Sequence, residues 1–308
     1  MIQNKILENL KKDPTGLKNI INPTDEMILE CAKVDYTSLK YVEEIPSNLQ
    51  LELFKINKLT FIYMKDPCEE VCLEVVSSNP FMINKINNPS DSVQIKAIEK
   101  NPESIQDIEL SQKAQSYLIS KYSSNSYVYI KNPTEQTNLE LVKKDGFAIK
   151  LIKEPSEKIQ LEAVKSNAFA IANIKNPPLS VQINAVKRNG FAIKGINRPT
   201  EEVQLEAIKH DKNAIEFIKY PTVDVQKYII KKDYRLLKKI NMPYLEIQKL
   251  AIKSNIRAIN YIDEIHPDII RTLKRELKKL DDESREKIIS VLNDKVKELI
   301  TNSKTIKR

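Results

Sequence analysis

The sequence predicts an all-α solenoid, an array of short helical repeats stacked on one another. Three consecutive stretches share one pattern, PSEKIQLEAVKSNAFAIANIKN, PPLSVQINAVKRNGFAIKGINR and PTEEVQLEAIKHDKNAIEFIKY, at residues 155–176, 177–198 and 199–220. Self-similarity at a fixed short period is typical of architectures in which each repeat contacts only its neighbours. Such an array offers a long surface rather than a pocket, so we expect the sequence to report architecture more fully than function.

About twelve repeats cover residues 1–265, which we predict to form a single superhelical domain. With the leading proline counted as position 0, prolines or their substitutes fall at 23, 46, 67, 89, about 111, 133, 155, 177, 199, 221 and 243. The first repeat starts at Met1. The repeats near 46 and 111 have shifted landmarks, with Ser111 in place of a proline, so their register is open by one residue.

Each repeat opens with the signals of a helix N-terminus. Proline fixes φ and lacks an N–H, which suits the first turn of a helix. Acidic residues such as Glu201 and Glu202 follow, where the positive end of the helix dipole favours them. A Thr or Ser after the proline can accept a hydrogen bond from the first free amides. These predicted caps are Thr24, Ser90, Thr134, Ser156, Thr200 and Thr222.

The body of each repeat predicts one helix of about ten residues and a second, shorter one. Apolar residues at positions 4, 6, 8 and 9 form the first helical stripe, which in the repeat at 199 comprises Val203, Leu205, Ala207 and Ile208. The helix stops at an Asn or Asp at position 12. Gly146 or Gly190 follows in two repeats, where we expect a left-handed residue to close the helix. Apolar residues at 15, 16 and 19 then predict one or two turns, α or 3₁₀.

The C-terminal segment is predicted to cap the array. Residues 266–301 carry two apolar stripes separated by the turn 281–284, which indicates a helical hairpin. The stripes are Ile269, Ile270, Leu273, Leu277 and Leu280, then Ile288, Ile289, Leu292, Val296 and Leu299. The alternative is a coiled-coil arm, so we expect a monomer or a dimer formed through the C-terminus. We expect the basic tail 302–308 to be frayed.

Composition places the chain among cytoplasmic proteins without a cofactor. Charged residues near the N-terminus argue against a signal peptide, and no run of eighteen apolar residues indicates a membrane span. The three cysteines, Cys31, Cys68 and Cys72, lack the spacing of a disulfide framework. Cys68 and Cys72 could share a helical face as metal ligands, but the absence of a nearby histidine argues against a metal site. The net charge is +8, and the basic excess lies after residue 132, which hints at an anionic partner.

Catalytic residues are not indicated. The histidines are His210 and His266, both beside predicted turns, and we interpret His210 as a solvated surface residue at position 11. Carboxylates are distributed as helix caps rather than gathered in pairs, and no serine or cysteine has a base near it in sequence. We therefore expect a protein that is not an enzyme.

Two polar ladders run through the repeats. The glutamine at position 5 is expected to satisfy main-chain groups of the adjacent repeat rather than to bind a ligand. It recurs as Gln94, Gln160, Gln182, Gln204, Gln226 and Gln248. A lysine at position 10 recurs in six consecutive repeats, and stacking would align these lysines into what we call the lysine row. Its members are Lys143, Lys165, Lys187, Lys209, Lys231 and Lys253.

The lysine row predicts a partner-binding site in the repeats where its ion pairs with glutamate are missing. Glu140, Glu162 and Glu206 each precede a lysine by three residues, which indicates pairs along the helix with Lys143, Lys165 and Lys209. The other three repeats have Asn184, Tyr228 and Leu250 in place of the glutamate. The predicted partner-binding residues are therefore Lys187, Arg188, Lys231, Lys232 and Lys253. Aromatic residues near them are sparse, which argues against sequence-specific reading of a nucleic acid.

The repeat NP-S/T-x-E-V-Q-L-x-A-V-K-x-N-x-x-A-I-x-x-I resembles short α-solenoid repeats of the leucine-rich-repeat-variant and HEAT-like kind, as found in phage and large-DNA-virus proteins. The array and the missing active-site residues favour a non-catalytic scaffold that binds a macromolecule, with a protein as the favoured partner. The resemblance suggests a phage or viral setting, in which we expect the protein to inhibit a host component in the host cytoplasm. The alternative is a solenoid that binds a nucleic acid through the lysine row. A HEAT-like nucleic-acid enzyme is the third, which the absence of tryptophan disfavours.

Overall fold

The computed structural model describes the backbone of residues 2–301 and the side chains of residues 3–301. Within that range the chain consists of α-helices, 3₁₀ helices and turns without a β-strand, which confirms the all-α solenoid. The chain divides into two compact parts, an N-terminal part up to Leu141 and a C-terminal part from Val142. The predicted frayed tail, 302–308, lies outside the described residues.

The N-terminal part repeats an α-helix followed by a 3₁₀ helix, labelled η. Its elements are α1 Ile2–Lys12, η1 Pro14–Asn19, α2 Asp25–Val34, η2 Tyr36–Tyr41, α3 Ser47–Ile56, η3 Lys58–Tyr63, α4 Glu69–Ser78, η4 Pro80–Lys85, α5 Asp91–Lys100, η5 Pro102–Ile105, α6 Gln112–Lys121 and η6 Ser124–Tyr129. The division at Leu141 falls within α7, Glu135–Lys144.

The C-terminal part continues the same alternation and ends in three α-helices. Its elements after α7 are η7 Gly146–Leu151, α8 Glu157–Ser166, η8 Ala168–Asn173, α9 Leu179–Arg188, η9 Gly190–Gly195, α10 Glu201–His210, η10 Lys212–Phe217, α11 Val223–Lys232, η11 Tyr234–Lys239, α12 Leu245–Ser254, η12 Ile256–Tyr261, α13 Pro267–Leu277, α14 Asp282–Ser290 and α15 Asp294–Thr301. The short second helix, which the sequence left open, is therefore 3₁₀.

Caps and core lie where the repeat pattern places them. All six predicted Thr and Ser caps accept a hydrogen bond from the amide three residues on. In the repeat at 199, Val203, Ala207 and Ile208 are buried and Leu205 is half-buried. The apolar residues of the 3₁₀ helices complete the core, as Ala214, Ile215 and Ile218 do in that repeat. Each repeat thus buries its stripe against its neighbours.

Part of the glutamine ladder joins neighbouring repeats through main-chain hydrogen bonds, as predicted for Gln94, Gln204 and Gln226. Gln226 is buried, and its Nε2 donates to Pro221 O at 3.0 Å while its Oε1 accepts from Tyr244 N of the next repeat at 3.1 Å. The same pair of bonds is made by Gln50, Gln94, Gln115 and Gln204. Each of these glutamines therefore ties the start of its own repeat to the start of the next.

Gln160 shows what happens when the partner amide is missing. Its Nε2 donates to Pro155 O at 2.8 Å, but its buried Oε1 has no hydrogen-bond partner in the described structure. The residue in the place of Tyr244 is Pro178, which has no N–H to donate. Gln182 and Gln248 also leave a buried Oε1 without a partner within the described range.

The register of the two irregular repeats is fixed by their glutamines. Gln50 donates to Ile45 O, so that repeat begins at Ile45, and Pro46 is its second residue. Gln115 donates to Leu110 O, so the repeat predicted near 111 begins at Leu110. The repeat that ends before Leu110 is one residue shorter than its neighbours, and its 3₁₀ helix η5 is shorter as a result. An extra residue between α6 and η6 makes the following repeat longer, so the regular spacing of the repeats is restored by Pro133.

The expectation of left-handed glycines at the ends of α7 and α9 is wrong. No glycine in the described chain has a positive φ. The Asn or Asp at position 12 makes the turn instead, in extended conformation, and its side chain accepts a hydrogen bond from the amide two residues on, as Asn189 does from Phe191 N at 2.9 Å. Glycine is required at 146 and 190 because an added Cβ would lie 2.5 Å from the carbonyl oxygen of Ala163 or Ala207.

Left-handed residues occur at another place, directly before the proline that opens a repeat. Their φ values lie between 46° and 56°, and they are Asn22, Asn88, Glu154, Asn176, Arg198 and Met242. Asparagine tolerates this region better than other residues with a side chain, whereas an ordinary L residue pays about 1–2 kcal/mol. The repeats with Glu, Arg or Met at this position therefore carry backbone strain.

We expect the substitution Arg198→Asn to stabilise the protein by about 0.5–1 kcal/mol, since it relieves that strain. Arg198 and Asn176 share a φ of 51°, so Asn176→Ala is the matched variant and should destabilise by a similar amount. Urea denaturation followed by circular dichroism measures both changes. A loss of stability in Arg198→Asn would contradict the explanation.

The C-terminal cap differs in detail from a two-helix hairpin. Helix α13 packs against α12 and buries Ile269, Leu273 and Leu277. The second predicted helix is divided into α14 and α15, because Asn293 caps α15 by accepting from Val296 N at 2.9 Å. Asn260 holds the break, since its side chain donates to Val291 O and accepts from Asn293 N, both at 3.2 Å.

Candidate functional site

The predicted partner-binding residues occupy the last turns of three helices. Lys187 and Arg188 end α9, Lys231 and Lys232 end α11, and Lys253 lies one residue before the end of α12. We call these five residues the basic row. All five side chains are exposed. A cation at a helix C-terminus is favoured by the helix dipole, which explains its recurrence and leaves its outer surface in water.

Two of the predicted glutamate–lysine pairs are present. Lys165 Nζ lies 2.7 Å from Glu162 Oε1, and Lys209 Nζ lies 2.8 Å from Glu206 Oε1. Each lysine lowers the pKa of its glutamate by donating a hydrogen bond to it. The pair Glu140 with Lys143 spans the boundary between the two parts and stays a prediction.

The basic row lacks such partners within the described chain. No ion pair within 4 Å involves any of its five side chains in residues 3–301. Two members have a weaker neighbour. Lys187 lies close enough to Glu206 of the next repeat to contribute to the lowering of that carboxyl's pKa, after the larger effect of Lys209. Lys232 Nζ lies over the Tyr228 ring, 5.7 Å from its centroid.

A row of aromatic residues that the sequence did not single out begins two repeats before these cations and reaches them at α9. Phe147, Phe169 and Phe191 occupy the same position in η7, η8 and η9, and we call them the phenylalanine row. Phe147 and Phe169 remain about two-fifths exposed, at 41% and 42%. The signal was present in the sequence as one Phe recurring at position 14, next to the buried Ala at 15.

The two rows meet at one turn, in the repeat at 177. In the repeat at 177, α9 ends at Arg188, Asn189 makes the turn, and Phe191 is the second residue of η9. Helices η7, η8 and η9 contain no acidic residue, and their charged residues are Lys150 and Lys194. Lys194 Nζ lies 5.6 Å from the ring centroid of Phe217, which itself packs edge-on against Phe191 at 5.7 Å. This edge of the C-terminal part is therefore both basic and apolar.

Both histidines accept hydrogen bonds from main-chain amides. His210 is exposed, as predicted, but it is more than a solvated residue because its Nδ1 accepts a hydrogen bond from Gly190 N of the previous repeat at 3.1 Å. His266 caps α13 by accepting from Asp268 N at 3.2 Å. Each ring thus uses Nδ1 to satisfy a main-chain amide.

The cysteines show no metal-binding arrangement in the described part of the chain. Cys72 is buried and its Sγ contacts Pro67 O at 3.5 Å, while Cys68 stands at the start of α4. Burial raises the pKa of the Cys31 and Cys72 thiols to about 11, which disfavours the thiolate that a metal needs. No group of three or more His, Cys, Asp or Glu with metal-binding geometry lies among residues 3–301.

Comparison of the chain with protein-family models, with curated proteins and with solved structures finds no match. Over residues 2–301, none of the helices combines the length and the apolar character needed to cross a bilayer. The assignment to the solenoid class therefore depends on the repeat and on the helix pairs themselves.

Proposed function

We propose that this protein is a non-catalytic scaffold that binds an acidic surface of a partner protein through the basic row. The observation that supports this most is the set of five exposed cations at equivalent positions of α9, α11 and α12. Exposed cations without a carboxylate partner keep their charge available for a ligand, and complementary charge sets the rate and specificity of association.

The phenylalanine row favours a protein as the partner. Interfaces between proteins combine an apolar core with a polar or charged rim, and aromatic residues are enriched in them. Half-exposed rings that adjoin a line of cations match an acidic surface that also carries apolar side chains. The partner should therefore contact both rows, which meet at Asn189 between α9 and η9.

The proposal is tested by charge reversal in a capture experiment with extract of the natural host. The variant Lys187→Glu/Lys231→Glu/Lys253→Glu should capture at least about tenfold less partner than the wild type, because attraction becomes repulsion. Its free energy of unfolding should stay within about 0.5 kcal/mol of wild type, since the three side chains are exposed.

The matched control is Lys55→Glu/Lys100→Glu/Lys121→Glu, which reverses exposed lysines near the ends of α3, α5 and α6. This control should capture as much partner as the wild type. If Lys187→Glu/Lys231→Glu/Lys253→Glu captures as much partner as the wild type, the basic row is not the binding surface.

A nucleic acid is the second candidate partner, and the exposed cations of the basic row are the observation that supports it. Exposed rings beside cations can stack on unpaired bases while lysines neutralise phosphates. In that case affinity for single-stranded DNA should fall steeply as salt rises, and nuclease treatment should abolish capture. A flat salt dependence, or no retention on heparin at low salt, would exclude this candidate.

The resemblance of the repeat to those of phage and large-DNA-virus proteins extends the proposal to a viral inhibitor that sequesters a host component in the host cytoplasm. This extension is supported by the repeat pattern alone. Identification of the captured partner as a host protein, together with a phage or viral gene neighbourhood, is the result expected. A bacterial or cellular gene neighbourhood would contradict it.

A further inference from the structure

A groove of about 1400 Å³ lies along the loops that join α10 to α12, away from the basic row. Three large side chains project into it and stay in contact with solvent, Tyr220 at 68%, Met242 at 79% and Tyr244 at 52% exposure. We call this groove, defined by these three residues with Tyr261, Glu201 and Glu264, the tyrosine groove. Contiguous exposed apolar side chains of this kind mark interaction sites.

Met242 shares with Glu154 and Arg198 a left-handed backbone position that suits asparagine better. It has a φ of 53° directly before Pro243, where Asn22, Asn88 and Asn176 are the residues that suit the left-handed region. The substitution by methionine therefore adds backbone strain and exposes a large apolar side chain at the same time. Glu154 and Arg198 carry the same strain, so what distinguishes Met242 is the large exposed apolar side chain that it places in the groove.

Tyr244, two residues later, provides no side-chain cap, as is also the case for Pro46, Cys68 and Pro178 at the same position. It stands where Thr200 and Thr222 cap their helices, and α12 has no side-chain cap as a result. The loss of such a cap typically costs about 1 kcal/mol. This repeat differs from the others in that both positions hold large, exposed side chains that line one groove, as is expected of an interaction site.

The charges in the groove are predominantly acidic, although the part of the chain that holds it is basic. Its carboxylates are Glu201, Asp224, Asp263 and Glu264, all exposed. Of these, Asp224 pairs with Lys227 at 3.2 Å, and the described chain shows no ion pair for the other three.

The two lysines of the groove have partners of their own. Lys239 pairs with Glu216, and Lys238 Nζ lies 6.0 Å from the ring centroid of Tyr261. A tyrosine ring of this groove thus already accommodates an ammonium group.

We propose that the tyrosine groove binds a segment of a partner protein that carries arginine or lysine next to an apolar side chain. The carboxylates attract the cationic groups, and the ring face of Tyr244 accepts one through cation–π contact. The Tyr220 ring, which has Lys219 Nζ 5.2 Å from its centroid, contributes apolar contact. Met242 supplies an adaptable apolar surface for the neighbouring side chain. This site is separate from the basic row, because none of the five basic-row residues lines the groove.

The test uses the immobilised full-length protein to select binders from a library of random decapeptides. The expected binders are enriched in arginine or lysine together with apolar residues. In the variant Met242→Asn/Tyr244→Thr, which restores the residues typical of the other repeats, the best peptide should bind at least about tenfold more weakly by fluorescence anisotropy. Its Tm should be equal to or higher than that of the wild type, so a loss of binding cannot come from unfolding.

Two further variants separate the contributions. Arg198→Asn makes the same change at the same position of another repeat, outside the groove, and should leave peptide affinity unchanged. Glu201→Gln/Glu264→Gln should weaken binding and reduce its salt dependence.

Several results would overturn the proposal. They are a selection that enriches acidic peptides, a selection that enriches none, and equal affinity of wild type and Met242→Asn/Tyr244→Thr. Self-association of the wild type that this variant abolishes would assign the groove to a second copy instead. The basic-row variant Lys187→Glu/Lys231→Glu/Lys253→Glu should retain peptide binding, which keeps this test independent of the proposed function.

Discussion

The substitution Gln226→Leu is expected to destabilise the protein by about 2–4 kcal/mol, because two buried main-chain groups lose their partners. Pro221 O would lose the Nε2 donor at 3.0 Å, and Tyr244 N would lose the Oε1 acceptor at 3.1 Å. Gln226 is only 1% exposed, so water cannot readily replace the side chain. Urea denaturation monitored by circular dichroism measures the loss.

Gln160→Leu is the matched control, with an expected cost of at most about 1 kcal/mol. Gln160 makes the bond to Pro155 O but leaves its Oε1 without a partner, because Pro178 has no N–H. Leucine therefore removes one hydrogen bond and one unsatisfied oxygen together. Equal costs for the two substitutions would show that the ladder does not join the repeats through the second bond.

The substitution Gly146→Ala is expected to destabilise by about 1–3 kcal/mol, since a core without free space must shift to accept a methyl group. The added Cβ would lie 2.5 Å from Ala163 O and 3.0 Å from Asn167 N, both main-chain atoms of the next repeat. Thermal and urea denaturation should both report the change.

Gly16→Ala is the control for this experiment. Its Cβ would meet only the Leu10 side chain, at 3.2 Å, which can move aside. We expect a change of less than about 1 kcal/mol. Ala168 holds the position of Gly146 one repeat further on, so the local approach of the next helix decides the residue. A neutral Gly146→Ala would show that the repeats can separate without cost.

Most of the fold could be predicted from the sequence because its signals are local and recur. The caps at Thr200 and Thr222 and the buried stripe of Val203, Ala207 and Ile208 follow from spacing within one repeat. The glycine conformation could not be predicted, because the constraint at Gly146 comes from a carbonyl in another repeat. The break before α15 was missed for a similar reason, since Asn260 holds it from a distant part of the chain.

The candidate surfaces were predicted less completely. The exposure of the basic row could be predicted from helix register. The sequence also shows directly that Asn184, Tyr228 and Leu250 replace the glutamate that pairs with lysine in other repeats. The phenylalanine row was missed because Phe147 and Phe169 look like core residues until the structure shows them about two-fifths exposed. The tyrosine groove was missed because the sequence does not show that Tyr220, Met242 and Tyr244 line one groove, although the missing cap residue at Tyr244 could be read from it.

The central claim is that repeated side chains hold the array together, while departures from the repeat form its binding surfaces. Hydrogen–deuterium exchange of the full-length protein, with and without its captured partner, tests this most directly. The account predicts slower exchange in segments 187–191, 231–235 and 253–257, where the basic row meets the turns into the 3₁₀ helices. Protection confined to residues 2–141, or no protection in those segments, would contradict it.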